Sequence, residues 1–285
     1  MRGFVPEYHM AAPGSLQGVL HLMASEPGQW QPFAGGTDLM VLMESGKLEH
    51  KKFVSLLGVP ELTGIRQHEH RLTIGALTTY TDVLRSAAIG REFPLLQEAA
   101  RQTGGVATQN RGTLGGNIAN GSPAADTPPA LLVYDAEIEL TSANGSRWVP
   151  YASFHTGYKQ TLRKPDELIS RIRLPRRSES SYETYRKVGT RKAQAISKVC
   201  FAAAVLVEGA TVQRARLALG SVAPLPLRCV KTASVLVGQR LSKSLIEDAC
   251  RQLVDEISPI DDIRSTRVYR RRVAVNLLSE FLESL

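Results

Sequence analysis

An α+β fold is what this sequence predicts, and three observations carry the prediction. Strand-like and helical patterns are intermixed over residues 1–176, with no internal repeat. In the last third, strands come first and helices after. The composition, 43% hydrophobic and 22% charged over 285 residues, is that of an ordinary globular chain with room for two modest domains or one large one.

The elements follow in order. "SLQGVLHLMASEP" (15–27) sets Leu16, Val19, Leu20 and Met23 on one helical face behind Ser15, a good N-cap residue. "WQPFAGG" reads as a strand ending in a glycine turn. "TDLMVLMESGK" reads as a helix closed by Gly46. "KKFVSLLG" and "RLTIGALTT" read as strands, "TDVLRSAAIG" as a helix capped by Thr81 and ended by Gly90, and "PLLQEAARQT" as another helix. The stretch 109–126, "QNRGTLGGNIANGSPAAD", reads as a long loop. After it, "TPPALLVYD" places Pro128 or Pro129 in the first turn of a short helix. "AEIELTSANGSRWVP" alternates Ile138 and Leu140 and is expected to turn at Asn144-Gly145, a dipeptide that tolerates positive φ. "DELISRIRLP" reads as a strand ending at Pro175. The charged, Ser-rich "RRSESS" (176–181) is the expected boundary between a domain over 1–176 and one over 177–285. Beyond it lie a strand hairpin around Gly209 and helical patterns at 229–237, 242–256 and 265–283.

Several function classes are disfavoured. The longest apolar runs, "CFAAAVLV" and "ALLVYD", are far short of the roughly 20 residues that span a bilayer. The N-terminus has no apolar h-region, so no secretory signal is expected and the cytoplasm is the default location. Cys200, Cys229 and Cys250 are widely separated, and the six histidines show no metal spacing, so no zinc or iron–sulfur cradle is expected on this chain. The net charge of +8 is concentrated in "RIRLPRR" and "RSTRVYRRR". Neither run is interleaved with aromatics, which argues against a nucleic-acid platform and leaves a solvated or subunit-facing basic surface.

Two glycine clusters carry the chemistry. Glycine lets backbone approach a ligand closely and adopt φ > 0, and successive amides then form an anion nest suited to a pyrophosphate. "AGGTD" supplies Gly35, Gly36 and the Thr37 hydroxyl; "TLGGN" supplies Thr113, Gly115, Gly116 and Asn117. Neither has the GxGxxG spacing of a Rossmann site. Taken alone, each is equally a plain turn; together they suggest a nucleotide held by two loops.

The motifs "FAGGTDL", "LTIGALTTYTDV", "NRGTLGGNIANGSPAADTPPALLVYDA", "FHTGYKQT", "DELISRIRLP" and "RKVGTRKAQAISKV" occur in this order. Together they resemble the FAD-binding medium subunit of the molybdenum hydroxylases, a family that includes xanthine dehydrogenase and carbon monoxide dehydrogenase. The resemblance covers nearly the whole chain and reaches "DDIRSTRVYRRRVAVNLL". It implies a two-lobed FAD domain of the vanillyl-alcohol-oxidase-like (PCMH) type and a smaller α+β C-terminal domain. It also implies non-covalent FAD, with a molybdopterin-binding large subunit and a [2Fe–2S] small subunit as partners, and electrons passing from the clusters through FAD to NAD or another acceptor. The cysteine-rich insertion of the aromatic acyl-CoA reductases is missing.

The resemblance also implies site residues. Ala34, Gly35, Gly36, Thr37 and Asp38, flanked by Pro32, Phe33 and Leu39, would form the first pyrophosphate loop. Thr113, Leu114, Gly115, Gly116 and Asn117 would form the second. Thr103, Gly104 and Val106 would approach the flavin, with Asp126 as a polar contact, Leu168 at the ring and Lys187 beside it. Tyr158 and Lys159 would lie on the nicotinamide-accepting side. No residue is implied as general acid or base. The plainer roles are a helix N-cap for Asp126, core for Leu168 and Cys200, the surface for Lys187, and loop positions for Tyr158 and His155. The rival activities are a stand-alone FAD-dependent oxidase or reductase and a nucleic-acid binder.

Overall fold

The first lobe grows from the amphipathic helix legible at the N-terminus. In the computed structural model, which describes residues 7–177 and 180–285, Ser15 accepts from the Gly18 amide and starts α1 (Leu16–Ser25). Strand β1 (His9–Ala11) precedes it; β2 (Trp30–Phe33), α2 (Leu39–Glu44) and β3 (Lys52–Ser55) follow. The strands form a parallel sheet in the order β1-β3-β2. Val19, Leu20 and Met23 bury against Trp30, Val54 and Leu62, each worth about 2 kcal/mol of removal from water.

The second lobe is a five-stranded antiparallel sheet with helices on it. It comprises β4 (Ile65–Gln67), β5 (Arg71–Gly75), α3 (Tyr80–Arg85), α4 (Ala87–Glu92), α5 (Pro94–Arg101), α6 (Val106–Arg111), α7 (Leu114–Ala119) and α8 (Pro128–Val133). Then come β6 (Glu137–Ser142), β7 (Gly145–Pro150), the small hairpin β8 (His155–Gly157) and β9 (Gln160–Thr161), and β10 (Leu168–Pro175). The sheet order is β4-β5-β10-β6-β7, with Ile172 of the central strand opposite Ile74 and Ile138.

The C-terminal domain places β11 (Tyr182–Val188), β12 (Val199–Glu208), β13 (Thr211–Gly220) and β14 (Leu227–Arg228) in one antiparallel sheet. It closes with α9 (Val230–Leu236), α10 (Lys243–Glu256) and α11 (Arg267–Glu283). The unbroken apolar run of β12 is explained by burial on both faces. Val199, Phe201, Ala203 and Val205 pack on the domain's own helices. Cys200, Ala202 and Ala204 join the second-lobe core, where small side chains let the sheet lie close to α8.

Strand β11 also zips the domains together. Its alternate residues share one face. The Glu183 carboxylate accepts from Tyr134 Oη at 2.6 Å, Tyr185 Oη donates to the Asp126 carbonyl at 2.9 Å, and Lys187 Nζ donates to the Gln102 carbonyl at 2.8 Å. Asp135 adds a hub, paired with Arg177, Arg216 and Arg228 at 2.7–3.0 Å.

Some local expectations are corrected. Thr79, not Thr81, caps α3, in a capping box with Asp82; Gly90 lies inside a separate helix, α4, capped by Ser86. The β6–β7 turn is Ala143-Asn144; Gly145 already pairs with Ser142, and among these three only Gly145 has positive φ. The stretch 109–126 is no open loop, since it contains the end of α6 and all of α7. Of the expected boundary at 176–181, Ser178 and Glu179 lie outside the described residues, as do residues 1–6 of the N-terminal stretch. No helix among the described residues is long and apolar enough to cross a membrane, and none of their His, Cys, Asp and Glu side chains group as a metal site.

Candidate functional site

The two glycine clusters meet. Gly35 packs so tightly on the chain at Arg111 that a Cβ there would stand 1.8 Å from the Arg111 carbonyl oxygen. Gly36 takes φ +76° above the Phe33 ring, which itself packs edge-on against Phe53. The Asp38 carboxylate accepts from Asn120 Nδ2 at 3.3 Å, which ties the start of α2 to the end of α7. Among the described residues, nothing accepts from the amides of Gly35, Gly36, Thr37 and Asp38. A row of free amides in a glycine-rich turn is a nest for an anion.

In the second cluster the two glycines differ. Thr113 caps α7, its Oγ1 accepting from the Gly116 amide at 3.1 Å. Gly115 faces the interior, where a Cβ would lie 2.6 Å from that of Ala76, and its amide is spent on the Ala76 carbonyl. Gly116 faces outward toward Ala34: an added Cβ would meet only the capping Thr113 Oγ1 and, at 4.0 Å, Ala34 Cβ. Leu114 is fully buried in the second-lobe core. Asn117 Oδ1 accepts from Thr127 Oγ1 at 2.5 Å, linking this cluster to the Asp126 segment.

Asp126 and Lys187 are brought together as a buried ion pair, Nζ to Oδ2 at 2.7 Å, with side chains 11% and 7% exposed. Lys187 is therefore not a surface lysine, and its charge is matched. Burial pushes the Asp126 carboxyl above the usual carboxylate range, with the Lys187 ammonium opposing. Cys200 Sγ lies 3.5 Å from Oδ1, and burial followed by the Asp126 charge pushes its thiol up to about 12. Asp126 is not the N-cap of α8, which is Thr127. Tyr185 is the residue that sequence reasoning missed here, because the strand that carries it lacks an apolar alternation; Cys200, expected as core, is buried beside Asp126.

The remaining residues take clear places. Thr103 is buried, its hydroxyl on the Ala99 carbonyl at 2.7 Å; Gly104 has φ +59°, and Val106 is 72% exposed. Leu168 belongs to the apolar cluster under the first lobe. Tyr158 is 63% exposed on the β8–β9 turn, and Lys159, at φ 54°, packs on Gly121 at the end of the second cluster. His155 is buried, with Nε2 on Tyr151 Oη at 3.0 Å; burial lowers its pKa to about 4, which suits a packed neutral ring.

Two α+β lobes meeting at an amide nest, with the C-terminal domain closing over the buried pair, define a dinucleotide-binding protein of the two-loop type. Comparison with known proteins sharpens this. Residues 6–177 match the family described as the FAD binding domain in molybdopterin dehydrogenase, and 183–285 match the CO dehydrogenase flavoprotein C-terminal domain. The chain belongs to this family: it is an FAD-binding medium subunit of the molybdenum hydroxylase type and an oxidoreductase subunit. It is 30% identical to the carbon monoxide dehydrogenase medium chain of Hydrogenophaga pseudoflava, over 98% of this chain and 96% of that one. It is 31% identical to the xanthine dehydrogenase FAD-binding subunit of Escherichia coli O157:H7, over 92% and 90%. Its structure superposes with a TM-score of 0.94 on a chain of carbon monoxide dehydrogenase from Hydrogenophaga pseudoflava, at 28% identity over 98% and 97% of the chains.

The residues present fit FAD. The free amides at 35–38 and the outward face of Gly116 suit a pyrophosphate, and small residues around both leave room for close approach.

Proposed function

We propose that this chain is the electron-transfer subunit of a three-subunit molybdenum hydroxylase, passing electrons from [2Fe–2S] clusters on a small subunit to NAD. A molybdopterin-binding large subunit would oxidise the substrate. The observation that carries the cofactor's position is the row of unpartnered amides at 35–38, set against Gly116 by the Gly35–Arg111 contact. Bound FAD would supply the exchange between one-electron donors and a two-electron acceptor.

The chain's own residues bind, orient and set the field. Gly35, Gly36, Thr37 and Asp38 offer donors to one side of the pyrophosphate; Gly116 and Asn117 border the other. Thr103, Gly104 and Val106 lead toward the flavin, with the Gln102 carbonyl pinned by Lys187. The Asp126–Lys187 pair places a matched dipole there rather than a bare cation, so it orients without a large net field. The exposed Tyr158–Lys159 turn, resting on Gly121, is the proposed acceptor side. No acid or base is assigned.

The test is an absorption spectrum of the purified chain, release and identification of any chromophore, and reduction of a dye by NADH. Stoichiometric FAD with NADH-dependent dye reduction supports the reading. FAD with no response to NADH removes NAD as acceptor. Turnover of a small substrate by the chain alone identifies instead a stand-alone FAD oxidase or reductase.

A further inference from the structure

We propose that the surface at the start of α11 is the docking face for an acidic, apolar patch on the partner subunit that delivers electrons; this rests on reading the chain as a subunit. Four large apolar side chains lie bare within ten residues: Ile260 at 64% exposed, Ile263 at 98%, Val268 at 71% and Tyr269 at 42%. Apolar groups gathered and rimmed by charge mark interaction surfaces.

The charge around them is not balanced. Asp261 pairs with Arg267 at 2.7 Å; Asp262 pairs with Arg264 at 3.2 Å and Arg270 at 2.7 Å. That consumes both local carboxylates. Arg271 and Arg272 stand exposed, and Lys198 lies over the Tyr269 ring at 5.1 Å. Among the described residues, no carboxylate pairs with these three cations. A complementary surface is therefore acidic at its rim and apolar at its centre, the usual anatomy of a protein–protein contact. Apart from Tyr269, whose ring already carries Lys198, the bare side chains of this face are aliphatic and offer no row of rings for bases to stack on, unlike a nucleic-acid platform.

The face is also joined to the cofactor site. Arg270 is 3% exposed, and its Nη1 donates to the carbonyls of Ser221 at 2.9 Å and Lys198 at 3.1 Å. The Ser221 amide donates to the Pro123 carbonyl at 2.8 Å, and Ser197 Oγ to the Ala124 carbonyl at 3.2 Å. One bonded framework thus runs from the docking face to the chain just before Asp126. A partner seated here is held against the same framework that carries the flavin-side residues.

The experiment uses the complete complex, co-expressed with its large and small subunits, carrying Ile263→Asp or the double change Arg271→Glu, Arg272→Glu. Val230→Asp, at an exposed position on α9, is the control. Association is measured across a range of salt, with FAD content and Tm recorded alongside. The expected result is a weakening of about tenfold or more in both variants. The double variant should also show a flatter salt dependence, with FAD content, Tm and the control unchanged. Variants that assemble as tightly as the unaltered complex, or that lose FAD or Tm instead, overturn the docking face. Loss of polynucleotide binding with assembly intact also overturns it. An unaltered chain that assembles with no partner overturns the subunit reading, and this inference with it.

Discussion

Asp126 and Lys187 show how one buried pair fixes both a site and its pH response. Each charge is tolerable inside the protein only because the other is 2.7 Å away. Removing the ammonium in Lys187→Met leaves an ionised carboxylate stranded, at a cost of about 3 kcal/mol. The Asp126 carboxyl already sits above the usual range through burial, so an uncompensated Asp126 takes up a proton still more readily. Its ionised form is the destabilising one, so the Tm deficit of the variant is greatest at high pH and shrinks as pH falls. Thermal melts across pH check this; a deficit that grows on acidification refutes it. His155 acts in the opposite sense. Its folded-state pKa is depressed to about 4 from 6.5, so its contribution is complete above 6.5 and is lost as pH falls from there toward 4. His155→Gln should flatten the acid-side fall of Tm over that window.

At the scale of elements, the two glycines of α7 separate folding from binding. Gly115→Ala drives a methyl into Ala76 and should lower Tm by several degrees. Gly116→Ala meets only the capping Thr113 hydroxyl and otherwise open space. It should keep most of the stability but weaken FAD binding by about tenfold or more, because the methyl points where a phosphate would approach. Titration of the cofactor-free chains with FAD, beside their melts, tests the pair. A Gly116→Ala chain with unaltered FAD affinity would remove the second cluster from the site. The contrast between these neighbours could not be read in "TLGG", since both have the same chemistry and only packing tells them apart. Helices α1 and α10 were legible because each sets its apolar residues on one face behind a serine cap. Strand β11 was not. Its buried face carries Glu183, Tyr185 and Lys187, so the usual alternation of apolar and polar residues is absent although the strand is real. The stretch 109–126 looked like loop because six-residue helices, one of them with two glycines, leave almost no periodic signal.

Over the whole molecule, the proposed cofactor site draws on the C-terminal domain as well as on the two lobes. Tyr185 and Lys187, which bond to the chain at Asp126 and Gln102, come from that domain's edge strand, and Cys200 from the strand beside it. A chain ending at Arg177 is expected to retain no FAD. In the full-length chain, Tyr185→Phe, which deletes one hydrogen bond to the Asp126 carbonyl, should raise the FAD dissociation constant by about fivefold to tenfold with the fold intact. Unchanged affinity in that variant would confine the site to the first two lobes. The order of the two domains was legible as a succession of motifs. The bonding of β11 back onto the second lobe was not, because it depends on contacts between residues far apart in the chain.

The meeting of Gly35 with Arg111 has a kinetic meaning as well. Asp38 and Asn120, which bond across the same junction, are 82 residues apart in sequence. On the reading that both clusters hold the dinucleotide, the two-sided grip is complete only once that long loop has closed, so the cofactor is expected to bind after the lobes have met. The reverse path is equally constrained. A ligand held between the lobes leaves only as fast as they part, so its escape rate reports the breathing of the junction. Weakening that junction, as by Asn120→Ala, should speed release more than it slows capture.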